Sequence, residues 1–193
     1  MIKNFLFVIL FIFSATVASA QNMLEWSAEH SLTVKDFEAP APNNGQMQTV
    51  SGSFSVSYEF GGLSLIATRN LNQYVHANFQ KDASYIDRAD DATTERLLAY
   101  QQLIFNVYEL QARNLRKKFF DERGKLLTKG PGPLYQEVAA EHSRLLGKVE
   151  GETFHGASME EIKHWNEWVL QELEKLNEFC KDCKPSKKKK RNQ

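Results

Sequence analysis

Side chains capable of metal, acid–base or thiol chemistry are few in this chain and far apart. His142, His155 and His164 are three of its five histidines, and Glu109 and Glu152 are the carboxylates that could join them around a metal ion. A zinc site requires three or four protein donors, so these residues would serve only if the fold drew them into one pocket. His142 lies on a stripe with Leu134, Val138, Leu145 and Val149, where an imidazole is ordinarily a hydrogen-bonded packing residue. His164 stands beside another apolar face and reads the same way. The two cysteines, Cys180 and Cys183, lie three residues apart at the end of a helical pattern. That spacing suits a local disulfide. A redox C-x-x-C needs a helix N-terminus to depress the thiol pKa, and here the dipole would work against a thiolate. Two cysteines alone make no zinc site.

The element that must organise any site is a long helix expected from about Asp91 to about Asp121. Leu98, Phe105, Tyr108, Ala112, Leu115 and Phe119 fall on one stripe at 3.6-residue spacing, widened by Leu97, Tyr100, Ile104 and Val107. Asp90, Asp91 and Thr93 carry helix-start chemistry. Gln101 projects into the middle of the stripe, an odd place for a neutral amide. Tyr100, Gln101 and Ile104 occupy positions i, i+1 and i+4, which in H-E-x-x-H hold two zinc ligands one turn apart and a general base beside the first. Ile104 has no donor atom, the Tyr100 phenol ordinarily ionises near pH ~10, and Gln101 cannot accept a proton.

The run L-L-A-Y-Q-Q-L-I-F-N-V-Y-E-L-Q-A-R resembles the helix of a family of secreted bacterial proteins, domain-of-unknown-function family 922, whose pattern is roughly L-L-x-H-E-Q-x-H-F-D-I-x-E-x-x-A-R and which is taken as zincin-like. Leu97, Leu98, Gln102, Phe105, Glu109, Ala112 and Arg113 match, Asn106 and Val107 nearly so, and Tyr100, Gln101 and Ile104 depart at the ligands and base. An early W-S-x-x-x-x-L-T-x-x-D-F is matched by Trp26, Ser27, Leu32, Thr33, Asp36 and Phe37, and Ser84 and Tyr85 fill places before the helix. Trp26 and Phe37 also read simply as core anchors of an edge segment. E-G-E-T-F-H-G at 150–156 is similar to the family's Y-D-x-E-T-x-H-G, with Val149 and Glu150 departing, which makes His155 a further ligand in relatives that keep the metal. In this chain His155 stands without those partners, and its expected role is a hydrogen bond within the loop. The resemblance implies a zincin-like fold, with zinc expected only in relatives that keep the motif; no cofactor, catalytic residue or metal ligand is assigned here. Glu109 and His155 are the candidate residual site residues.

Around that helix the expected architecture is α+β: a small antiparallel sheet on the long helix, followed by two further C-terminal helices. Phe54, Val56, Tyr58 and Phe60 alternate with Ser53, Ser55, Ser57 and Glu59 as a half-buried strand. Gly61-Gly62 reads as a hairpin turn with Leu63, Leu65 and Ala67 on the returning strand, and Tyr74 to Gln80 as a third strand. Residues 38–46 form a Pro and Asn/Gly loop. Pro133 is placed at a helix start after Gly130-Pro131-Gly132, and Ser158 with Glu161 forms a capping box for the last helix, whose face is Ile162, Trp165, Val169, Leu173, Leu176 and Cys180.

Residues 1–20 read as a secretory signal peptide: one Lys, an apolar run from Phe5 to Phe13, and Ala18-Ser19-Ala20 before the cleavage point. Residues 21–180 then form one domain, exported to a periplasmic or extracellular space, with no transmembrane segment in the mature chain. Zero net charge hides an asymmetry. Seven of the 24 basic residues lie in 181–193 and one in the leader, leaving 16 against 23 acidic residues between Gln21 and Cys180. An acidic body argues against nucleic acid as a partner. The K-K-K-K-R tail could touch anionic surfaces and is otherwise a solvated end that complements the helix dipole. The expectation is a pseudopeptidase that binds a peptide or protein without cutting it. Alternatives are a metal-dependent hydrolase with a relocated site built on His155, and a structural envelope protein that uses the tail as its contact point.

Overall fold

The computed structural model describes residues 22–42, 49–87 and 90–186; the expected signal peptide, part of the 38–46 loop and the end of the basic tail lie outside them. Its elements are β1 (Met23–Glu25), β2 (Val50–Tyr58), α1 (Gly62–Ala67), β3 (Val75–Ile86), α2 (Asp91–Asp121), α3 (Arg123–Lys129), α4 (Gly132–Glu152) and α5 (Met159–Lys175), with short 3-10 turns between some of them. The fold is α+β, with three antiparallel strands in the order β1-β3-β2.

Residues 62–67 correct the expected hairpin. They form a short helix closed by Leu65 N–H to the Gly61 carbonyl and Thr68 N–H to the Ser64 carbonyl. Tyr58 pairs directly with Val75, so β3 is the partner of β2, and β1 takes its other flank. No place beside β3 remains for a strand at 62–67. The β3 strand is also longer than expected, reaching Ile86. Its pairing with β2 slips between Ser51 and Ser53, where the Ser84 hydroxyl takes the place of a ladder group. It accepts from Ser53 N–H at 2.9 Å and donates to the Gln80 carbonyl at 2.6 Å.

The long helix α2 begins where Asp90, in extended conformation, accepts the Thr93 N–H. The expected one-sided apolar stripe becomes burial on nearly every side. The sheet covers one flank by packing Phe54 and Phe79 on Phe105, and α4 and α5 cover the other by packing Val149, Ile162 and Val169 around Val107. Further along, Leu115 and Phe119 pack with Val75, Leu134 and Val138. Trp26 flanks all three clusters, and its indole donates to Asn106 Oδ1 at 2.8 Å, so the edge segment is both packed and hydrogen-bonded onto the helix.

Polar groups buried along the second half of α2 are mutually satisfied. Glu109 Oε1 accepts from Arg113 Nε at 2.9 Å and Arg116 Nη1 at 2.8 Å. Arg113 also donates to the Leu173 carbonyl, and Arg116 to those of Val75 and Phe179. Two guanidinium groups with planar donor arrays thereby tie α2 to β3, α5 and the segment after it.

After α5 the chain turns back. Cys180 and Cys183 are joined by a disulfide with Cα atoms 5.1 Å apart. The amide nitrogen of Asn72, itself buried, lies 3.1, 2.9 and 3.1 Å from the carbonyls of Glu178, Cys180 and Cys183, and Asn70 donates to the Cys183 carbonyl at 3.0 Å. Among the described residues no helix is long and apolar enough to cross a membrane.

Candidate functional site

The first half of α2 forms the floor of a cleft of about 390 Å³, where Leu97, Tyr100, Gln101 and Ile104 face it. One wall is the start of β2, from Thr49 to Phe54. The other is Glu150, from the last turn of α4, with His155 from the turn that follows. The structure therefore brings Tyr100, Gln101, Ile104 and His155 to a single cavity.

His155 reaches it through a constrained turn. Phe154 and His155 adopt left-handed φ values of 51° and 52°, a conformation disfavoured for residues bearing a Cβ. Thr153, fully buried, donates to the Val149 carbonyl at 2.7 Å and anchors one side of the turn. Gly156, with φ 84°, lies flat on the Tyr100 ring; a Cβ there would sit 2.6 Å from Tyr100 Cγ. Arg96 donates to the Gly156 carbonyl and closes the other side. The His155 side chain is exposed, so the expected hydrogen bond within the loop is replaced by a main-chain one, from His155 N–H to the Glu150 carbonyl at 2.7 Å.

Gln101 is only 4 % exposed, and its Oε1 has no hydrogen-bond partner. It presses against Gly52, where a Cβ would stand 2.2 Å from that oxygen and 2.4 Å from the Phe54 ring. Glycine leaves the room over the strand that the Gln101 amide and the Phe54 ring occupy. A buried acceptor without a donor is costly, and this oxygen is closed off by Gly52 and the Phe54 ring. Above it, burial first and the charge of Glu150 second push the Tyr100 phenol up to about 12. Tyr100 stays protonated through the physiological range and offers a hydroxyl rather than a phenolate.

These donors do not fit zinc. Tyr100 keeps its proton, Gln101 Oε1 is sealed against Gly52, Ile104 has no lone pair to give, and one imidazole with one carboxylate falls short of the tetrahedral set. Among the described residues no group of three or more His, Cys, Asp or Glu could hold a metal ion.

The structure separates the remaining candidates. Glu109, grouped with His155 from the sequence, lies two turns beyond Gln101, about 12 Å along the helix axis, and is held by Arg113 and Arg116. It is a structural carboxylate. Glu152 accepts from the Trp165 indole at 3.1 Å at the end of α4, and His164 is exposed beside Trp165. His142 packs edge-on against Tyr108, ring centroids 4.6 Å apart, and both ring nitrogens are buried without a partner, so the hydrogen-bonded histidine expected from the stripe is an unpaired one. Burial pushes its pKa down to about 4. It lines a second cleft of about 400 Å³ between α4 and α5, well away from His155. The relocated site built on His155, His142, His164 and Glu109 or Glu152 thus has no common pocket.

The wall residues Thr49, Val50, Ser51 and Gly52 were not singled out from the sequence, nor was Glu150 as a member of the cleft. Glu150 appears there as a departure from the family pattern, although it keeps a carboxylate where the pattern has Asp. Gly52 interrupts the Ser/aromatic alternation of β2, a signal of close backbone approach. The chain matches no protein-family model, no curated protein and no solved structure.

Proposed function

We propose that this protein is an exported, non-catalytic member of the zincin-like family it resembles, and that its cleft binds an extended peptide segment of a partner without cleaving it. One observation carries the reading: the three helix positions that lack metal ligands and base, together with His155, line one open cleft. β2 is an edge strand of the sheet and its first residues form the cleft wall, an arrangement suited to adding a strand whose main-chain groups supply the affinity. The chemistry needed for hydrolysis, a Lewis acid and a base at the same place, has no residues to supply it. The disulfide is compatible with an oxidising compartment.

The test is elemental analysis and zinc titration of the protein beside a Tyr100→His/Gln101→Glu/Ile104→His variant. The expected result is no tight zinc in the native protein and a gain in the variant; stoichiometric tight zinc in the native protein overturns the reading. Binding is tested by panning a random decapeptide library on the native protein and on Ser51→Trp, which fills the exposed wall of the cleft. Retention should be lost in the variant, and equal retention would place peptide contact elsewhere.

A further inference from the structure

The second cleft, between α4 and α5, has the middle of α2 as its floor. Val107, Leu110, Gln111 and Asn114 line it at three- and four-residue spacing, one face of that helix. Val138 and Leu145 of α4 and Leu176 after α5 add apolar walls. Its volume of about 400 Å³ falls in the range of small-molecule sites, about 300–1,000 Å³, and the space between packed helices is a usual place for one. It shares no lining residue with the cleft that holds His155, so what it holds is independent of the peptide reading.

Gln111 sets this cavity apart. It is only 6 % exposed, and its amide has no hydrogen-bond partner among the described residues. Unlike Gln101 Oε1, that amide is not closed off by its neighbours, so the part of it left exposed opens onto the cavity it lines. A polar group desolvated on most sides and open on the last is where a ligand's hydrogen bonds count most. Asn114, one turn on and half-buried, also lacks a partner among the described residues. The charges around them are already engaged: Lys117 is paired with Asp121 and Lys175 with Glu172. The remaining lining carboxylate, Glu141, is exposed to solvent. His142 keeps both ring nitrogens in the interior, and with its pKa pushed down to about 4 by burial it meets the cavity as a neutral ring. Trp168, 37 % exposed, is held edge-to-face on the buried Trp165 with ring centroids 5.4 Å apart and supplies an aromatic wall.

We propose that this cavity binds a small, uncharged, planar aromatic molecule whose edge carries a hydrogen-bond donor beside an acceptor. The edge meets the Gln111 amide, which offers the complementary acceptor and donor, with Asn114 beside it. The ring lies against Trp168 and the apolar walls. A charged ligand is disfavoured, because the ammonium groups nearby have carboxylate partners and the imidazole is neutral. A purely apolar one leaves the Gln111 amide unpaired.

The experiment is a calorimetric titration of the protein with carbostyril, a bicyclic aromatic lactam, beside its N-methyl derivative, which keeps the ring and the carbonyl but has no N–H. The lactam should bind saturably at one site per chain, and the N-methyl compound about tenfold or more weakly. Gln111→Leu preserves the buried bulk, and should weaken lactam binding by about tenfold while changing that of the N-methyl compound little. Circular dichroism of the variant should match the native protein. Absence of saturable lactam binding, equal affinity for the two compounds, or a Gln111→Leu variant that binds the lactam as the native protein does overturns the proposal. The comparison of the two compounds on the native protein decides it even where the variant fails to fold.

Discussion

The two halves of α2 bury polar groups in opposite ways. Near its C-terminal end Glu109, Arg113 and Arg116 find partners in one another and in the carbonyls of Val75, Leu173 and Phe179. Near its N-terminal end Gln101 is buried as deeply, with an oxygen that has none. The first arrangement joins the sheet, α2, α5 and the C-terminal segment. The second adds no cohesion and leaves an acceptor sealed beside the cleft. The contrast teaches that burial alone does not say whether a polar side chain supports the fold; its hydrogen bonds do.

Substitutions should therefore have opposite signs at the two ends. The largest effect belongs to Arg116→Met, which strips the Val75 and Phe179 carbonyls of a donor and leaves Glu109 with one guanidinium. Urea unfolding should show a loss of about 3–5 kcal/mol, and a loss below ~1 kcal/mol would mean that the network is dispensable.

His142 extends the comparison to pH. Its folded pKa, about 4, lies below the ordinary value near ~6.5, so between these values the unfolded chain binds the proton more readily. Stability should rise with pH across that window and be lost as pH falls through it, by up to about 3 kcal/mol. His142→Phe keeps the ring against Tyr108 and should flatten the dependence. An unchanged slope in the variant would assign it to other groups. The carboxyls of Glu25 and Asp36, held below their ordinary values because burial is outweighed by hydrogen bonds from Lys181 and His76 in one case and from Thr33 in the other, add a loss of the same sign as pH falls through the carboxylate range, and His142→Phe should leave that part in place.

At the cleft, Gly52→Ala forces a methyl onto Gln101 Oε1 and the Phe54 ring and should cost about 1–3 kcal/mol. Gln101→Met removes the orphan acceptor at similar volume and should stabilise by roughly 1 kcal/mol. Thermal unfolding of the pair would sharpen the comparison. A destabilised Gln101→Met would show that the amide is satisfied in solution, and the cleft would lose its distinguishing feature.

The sequence was most informative where local signals agreed. The bounds of α2 follow from the Asp90 cap and the apolar period, and the starts of α4 and α5 from Pro133 and Ser158. Residues 62–67 were misread because L-S-L-I-A alternates as a strand does, while only Leu65 is wanted by the core. The deciding fact, that β3 has both flanks occupied, is tertiary. At the cleft, Tyr100, Gln101 and Ile104 were visible from spacing on one helix, and His155 from a resemblance. Gly52 and Glu150 join them only through packing, across 49 residues in each direction from Gln101. Glu109 was misplaced for a related reason. A carboxylate two turns along the same helix faces different neighbours, and sequence distance does not report which.

The hold of Asn72 on the carbonyls of 178, 180 and 183 has a consequence for how the chain is made. Those carbonyls follow α5 in the chain, and the contacts span 106 to 111 residues. A nascent chain that has reached only α5 can form its helices, yet Asn72 and Arg116 still lack acceptors that complete the core. Contacts of such range are closed late, against the entropy of a long loop. The final packing of this protein thus waits on the segment after α5, and a product truncated before Glu178 would be compact but unfinished.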